Sequence, residues 1–202
     1  MFQAPEIQAL TPFLSFWHAY DPAVKSDLYA TAVKSAAGLF LVDPIPLEPS
    51  ALEELTGQDT VAGILLTNSN HLRAAERFSS RSQAPVFCAQ VVAGELVAGC
   101  AREISDKEEI SPGVSAIAIE GAAPGETAFH FAEDGGTIVV GDALINFEPY
   151  GFTFLPPKYC ADQKEMRHSL RRLLDWPFQR LLFAHGTPIL NSARERLETL
   201  LR

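Results

Sequence analysis

Long apolar runs are missing from this 202-residue chain. No segment approaches the ~20 consecutive apolar residues that span a bilayer, so no membrane role is expected. Basic charge is scarce too: 16 Lys and Arg stand against 25 Asp and Glu, a net charge of −9. Nucleic acids and anionic membranes are gripped by clustered Lys and Arg, and this balance argues against either partner. Cysteine is sparse, with Cys88, Cys100 and Cys160 widely spaced and no C-x-x-C pair. An odd count without a framework points to reduced thiols. The first twelve residues lack a basic start followed by an apolar stretch, so a cytoplasmic location is expected. No serine sits in a G-x-S-x-G elbow, no cysteine has a nearby His, and no Gly-rich phosphate loop is present. Those absences remove the common nucleophile and nucleotide signatures.

What is present suits one globular domain spanning residues 1–202. The hydrophobic share of 47% is enough for a sizeable core. Residues 27–35 and 38–43 read as strands joined by a turn at Ala36-Ala-Gly38. Three prolines then break the pattern before a short helix at 50–55. Residues 61–66 are apolar on consecutive positions, as in a strand covered on both faces. A helix over about 70–78 and a strand over 85–91 follow, a rhythm that implies a sheet covered by helices. In the second half, 113–119, 127–132 and 136–142 read as strands, with Glu133-Asp-Gly-Gly136 as a tight turn. Residues 146–160 form a long proline- and aromatic-containing loop, a kind that is often functional. An amphipathic helix over 163–176 carries Met166, Leu170, Leu173 and Leu174 on one stripe. A strand at 180–184 and a helix at 191–201 close the chain.

The most informative stretch is Ala62-Gly-Ile-Leu-Leu-Thr-Asn-Ser-Asn-His-Leu-Arg73. An apolar strand stops at Thr67 and a polar turn opens a helix. That layout resembles the metallo-β-lactamase superfamily, in which the same strand runs into H-x-H-x-D-H. Other landmarks fall in the family's order: Leu39-Phe-Leu-Val-Asp43, Ala123-Pro-Gly-Glu-Thr127 in place of P-G-H-T, Thr137-Ile-Val-Val-Gly-Asp142, and Leu181-Leu-Phe-Ala-His-Gly186. The resemblance spans roughly residues 27–190. It implies a four-layer α/β/β/α sandwich with a metal site at one edge of two sheets.

Active relatives hold two metals, usually zinc, through imidazoles and carboxylates, and the metals acidify bound water. Here the motif positions carry Asn68, Asn70, Leu72 and Arg73. A neutral amide binds zinc weakly, leucine cannot bind it, and a guanidinium repels a cation. The standard two-zinc site is therefore not expected. Glu126, Asp142 and His185 remain ligand-capable and together suit a single divalent metal, Mn, Fe or Mg as much as zinc. The competing expectation pairs Arg73 with Asp142 or Glu126 in a charge-neutralised cleft that needs no metal. On that reading the chain is a non-catalytic relative of the hydrolases, without a cofactor. The alternative is a hydrolase using the single metal. His71 lies between family ligand positions and is expected to point away from them. Asn68 and Asn70 suit helix capping, and free N–H groups beside His71 and Arg73 suit a small anionic ligand.

Three further histidines are expected elsewhere: His130 on the strand face opposite Phe129 and Phe131, His18 packed near the amino terminus, and His168 on an exposed helix face with Arg167, Arg171 and Arg172. The stretch Phe147-Glu-Pro-Tyr-Gly-Phe-Thr-Phe154 suits a cleft cover or a homodimer seam.

Overall fold

The computed structural model describes residues 3–57 and 59–202. The first sheet takes its strands in chain order: β1 (Gln8–Thr11), β2 (Leu14–Asp21), β3 (Ser26–Ser35), β4 (Gly38–Val42), β5 (Val61–Leu65), β6 (Val86–Cys88) and β7 (Ala101–Glu103). Pairing is antiparallel up to β4 and parallel from β4 to β7. Parallel neighbours need crossovers, and these carry α1 (Pro49–Thr56), α2 (Ala75–Ser82) and the short α3 (Gln90–Ala93).

The second sheet contains β8 (Glu109–Ser111), β9 (Val114–Ala118), β10 (Thr127–Phe131), β11 (Thr137–Val140) and, after a hairpin of β12 (Leu144–Phe147) with β13 (Gly151–Phe154), the strand β14 (Arg180–Phe183). Its order is β14-β11-β10-β9-β8, with β11 and β14 parallel. Helix α4 (Gln163–Leu170) fills that crossover, and α5 (Ala193–Leu200) ends the chain.

Side-chain alternation explains how the layers stack. A strand sends successive residues to opposite faces, and both faces of each sheet are apolar. In β4, Leu39 and Leu41 meet the helices, while Phe40 and Val42 face the other sheet. In β14, Leu182 faces the inter-sheet core, while Leu181 and Phe183 meet α4 and α5. Three cores result, one between the sheets and one beneath each helical layer, which gives the four-layer α/β/β/α sandwich. Trp17 is fully buried, and its indole N–H donates to the Ile45 carbonyl at 3.0 Å. Within the described residues, no helix is long and apolar enough to cross a membrane. All three cysteines are free thiols.

Several boundaries differ from the sequence expectation. The strands β1 and β2 precede the first strand that the pattern suggests. The stretch 146–160, expected as one ordered loop, carries the β12–β13 hairpin as far as Phe154 and then a 3₁₀ turn at Pro157–Tyr159. The amphipathic helix over 163–176 splits into α4 and a tighter 3₁₀ turn at Arg171–Asp175. The helix expected over 70–78 starts only at Ala75. Before it lies a 3₁₀ turn, Ser69–His71, capped by Asn68, whose side-chain oxygen accepts from Asn70 N at 2.9 Å. Arg73, with φ of 39°, separates that turn from α2.

Candidate functional site

Four strand ends converge at one edge of the sandwich. Asp43 follows β4, the segment from Thr67 to Arg73 follows β5, Asp142 follows β11, and His185 follows β14. These are carboxyl ends of parallel strands, the usual place for a site in an α/β sheet. The two sheets are stitched together here by backbone bonds, Thr127 N to Thr67 O at 2.7 Å and Tyr29 N to Ala184 O at 3.0 Å.

Asp142 is the hub. Its Oδ1 lies 3.2 Å from His71 Nε2 and 3.3 Å from His185 Nε2. Its Oδ2 accepts from the side-chain amides of Asn68 at 3.2 Å and Asn70 at 3.1 Å. Asn68 also donates to Glu126 Oε2 at 2.7 Å, and Glu126 Oε1 accepts from Ala143 N at 3.0 Å. Behind His71 sits Asp43, which is 2% exposed. Its Oδ1 accepts from Thr67 N at 2.9 Å and its Oδ2 from the Thr67 hydroxyl at 2.6 Å. His71 Nδ1 lies 3.0 Å from that same Oδ2 and 2.8 Å from Thr67 Oγ1.

His71 therefore points into the cleft, contrary to the expectation that it turns away. The cause is the 3₁₀ turn Ser69–His71, which brings His71 N to the Asn68 carbonyl at 3.2 Å and sets its ring between Asp43 and Asp142. The family's motif spacing, applied to this stretch, misses that. The group of ligand-capable atoms that converges is His71, Asp142 and His185, all within 4.8 Å of one another. Glu126, expected as the third donor beside Asp142 and His185, is held by Asn68 and Ala143 instead.

Arg73 also departs from expectation. Its Nη1 donates to the backbone carbonyls of Tyr29 at 2.7 Å and Asp43 at 3.1 Å. Among the described residues it makes no ion pair with Asp142 or Glu126, so its cation acts on the cleft only through space. The partner that Asp142 takes is the imidazole of His71.

The charges follow from this geometry. Burial and the Arg73 cation pull the His71 pKa down, but the carboxylates of Asp43 and Asp142 outweigh them and raise it to about 9. Burial would lift Asp142, yet His71 and His185 hold it well below the usual carboxylate range. Asp43 is likewise lowered against its burial, by His71, Arg73 and Thr67. Glu126 is pushed up to about 8 by burial and then by the neighbouring Asp142 charge. His185 is lowered, mainly by burial. Near neutral pH, two carboxylates thus face one imidazolium and one guanidinium, with Glu126 and His185 uncharged.

The remaining candidates resolve into structural parts. His130 is buried on the face away from Phe129 and Phe131, with Nε2 2.8 Å from the Pro177 carbonyl. His18 lies on β2, its ring centroid 5.0 Å from that of Tyr29. The arginines near His168 are committed: Arg167 covers Phe154, Arg171 donates to the Leu201 carbonyl, and Arg172 pairs with Asp106. Within the aromatic hairpin, Phe152 packs against Phe183 and the Arg196 guanidinium. A surface pocket of about 560 Å³ opens beside the cleft, bordered by Tyr29, Phe147 and Gly186 among others.

Comparison with known proteins agrees with this architecture. A family model for the metallo-beta-lactamase superfamily matches residues 8–202, and the chain belongs to that superfamily. Among solved structures, it is similar to a metallo-beta-lactamase from Pontibacter korlensis at 14% identity and a TM-score of 0.73, covering 97% of this chain and 98% of that one. A metallo-beta-lactamase family protein from Thermus thermophilus shares 23% identity at a TM-score of 0.66, over 96% of this chain and 79% of its own. An archaeal superfamily protein from Sulfolobus tokodaii gives 14% and 0.67, over 100% and 86%. Identities this low establish the fold alone. No curated protein matches the chain.

Proposed function

We propose that this protein has replaced the two-metal centre of its superfamily with a single divalent-metal site formed by His71 Nε2, Asp142 Oδ1 and His185 Nε2, and that it is a hydrolase of that restricted kind. The observation that carries the reading is the convergence of those three atoms. Zinc–ligand bonds of about 2.0–2.1 Å put tetrahedral ligands about 3.4 Å apart, close to the 3.2 and 3.3 Å separations from Asp142. The set of two imidazoles and one carboxylate leaves coordination positions open. Two metals do not suit these residues, because Asn68, Asn70, Leu72 and Arg73 supply no strong ligand. A divalent ion bound there would supply a Lewis acid and an acidified water. The residues around it would position the ligands: Asn68 and Asn70 anchor the second oxygen of Asp142, and Asp43 backs His71.

A second reading is favoured by the charge balance. Asp43 and Asp142 are already matched by His71 and Arg73 near neutral pH, so the cleft needs no metal to be electrically closed. The protein would then be a non-catalytic member, with Arg73 drawing a small anionic ligand.

Elemental analysis separates the two readings, using protein purified without chelator or an affinity-metal column. About one equivalent of a transition metal, lost in His71→Ala and His185→Ala, supports the single-metal site. No bound metal after incubation with zinc, manganese and iron(II) at pH 8 overturns it in favour of the metal-free reading.

A further inference from the structure

Resting on the single-metal reading, we infer that Asp43 is the positioning residue that sets the tautomer of His71 and thereby turns a motif-breaking histidine into a ligand. The hydrogen bonds around Asp43 can be assigned direction by direction. Oδ1 receives the backbone N–H of Thr67, which can only donate. Oδ2 receives the Thr67 hydroxyl at 2.6 Å and faces His71 Nδ1 at 3.0 Å. A carboxylate only accepts, so a proton on Nδ1 serves the contact to Asp43, as one on Nε2 would serve the longer contact to Asp142 Oδ1. In neutral His71 the single proton goes to the nearer carboxylate, Asp43 at 3.0 Å against Asp142 at 3.2 Å, and the lone pair falls on Nε2. There a lone pair and a carboxylate oxygen converge, the arrangement that two ligands of one divalent ion would need. A buried carboxylate behind a ligating imidazole fixes ring orientation and tautomer in metal sites generally. In this chain it does so for a residue outside the superfamily's own ligand positions.

The cradle is sterically specified as well. Asp43 sits at φ of 47°, a left-handed conformation that aspartate tolerates better than most residues. Gly141 leaves the room that Thr67 and Asn68 occupy: a Cβ there would collide with Thr67 Oγ1 and stand 2.9 Å from Asn68 Nδ2.

The test is Asp43→Asn. Thr67 N–H requires the asparagine carbonyl at the Oδ1 position, so the amide NH₂ takes the place of Oδ2 and donates to His71 Nδ1. The ring is then forced into the Nε2–H form, which has no lone pair for the site. Zinc affinity, measured by competition with a chromophoric chelator, should fall roughly 10- to 100-fold. The imidazole nitrogens of His71, read by ¹⁵N NMR in the apo protein above pH 9.5, should switch from Nδ1–H to Nε2–H. A purely structural role for Asp43 would not move that signature. Unchanged tautomer and affinity in a folded variant would overturn the inference. If the variant does not fold, ¹¹³Cd-loaded wild-type protein decides the point: cadmium coupling to Nε2 with a protonated Nδ1 supports it, and coupling to Nδ1 overturns it. Failure of wild-type protein to bind zinc or cadmium would instead overturn the single-metal reading itself.

Discussion

Raising the pH from 6.5 to 9.5 in the presence of chelator should destabilise the metal-free protein. His71 has an ordinary pKa of about 6.5 in the unfolded chain and one of about 9 when folded. The folded state therefore holds a proton that the unfolded state has released. Stability from this proton is complete below about pH 6.5 and is lost as the pH rises through 9. The gap corresponds to about 3 kcal/mol, counted once, because the lowering of Asp142 reflects the same pairing. Glu126 acts with the same sign, since its folded value of about 8 exceeds its ordinary 4.5. His185 and His130, both lowered on folding, act below about pH 6.5, whereas Cys88, pushed up to about 12 by burial, adds to the loss above about pH 8.5. Urea titration followed by tryptophan fluorescence provides the assay. With an m-value of about 2–3 kcal/mol per molar, the midpoint should fall by about 1 M or more across the range. His71→Gln should remove about 1 M of that drop, the share due to this proton. A flat or rising midpoint in the wild type would refute the buried imidazolium and the charge assignment built on it.

Other perturbations read the same cleft from different sides. Gly141→Ala places a Cβ against Thr67 and Asn68, and should cost about 1–3 kcal/mol in urea unfolding while weakening zinc binding. Arg73→Met removes the donor to the Tyr29 and Asp43 carbonyls, and should destabilise the fold by about 2–3 kcal/mol. Calorimetry of the same variant should show tighter zinc binding, because a cation that acts on Asp43 and Asp142 has gone.

Much of the fold can be read from hydrophobic patterning, and the reasons are local. Leu39 to Val42, Ile64 to Leu66 and Ile138 to Val140 are apolar on consecutive positions because each of these strands is covered on both faces. Strand ends at Asp43, Thr67 and Asp142 are visible as polar residues soon after each run. What stays hidden depends on tertiary geometry. The β12–β13 hairpin carries Pro149 in its turn and has half-buried aromatics, so neither alternation nor length marks it as sheet. The segment before α2 is hidden for a subtler reason: in sequence, Asn68 and Asn70 look like the start of a continuous helix, whereas Asn68 caps a separate 3₁₀ turn. That change of period moves His71 from the outside of the cleft to its centre. It also explains why Arg73, displaced by a positive φ, reaches the backbone of β3 and not the carboxylates.

The same change of period bears on how a damaged metal motif can retain chemistry. Losing imidazoles from the H-x-H-x-D-H positions would leave Asp142 as a buried carboxylate beside Glu126, a repulsive pair with no counter-charge. The cleft meets that demand twice over. Asn68 and Asn70 donate to one oxygen of Asp142, and His71 with His185 converges on the other. Amides satisfy hydrogen bonding but carry no charge, so compensation falls to the His71 proton and, from a distance, to Arg73. A metal ion and that proton compete for one place. On this reasoning, zinc binding should release a proton from His71, and its apparent affinity should rise by nearly tenfold per pH unit between 7 and 9 before levelling off. Titration calorimetry in buffers of different ionisation enthalpy measures the proton release directly. An affinity independent of pH across that range would mean that zinc binds elsewhere, and that the imidazolium of His71 is a permanent part of the fold.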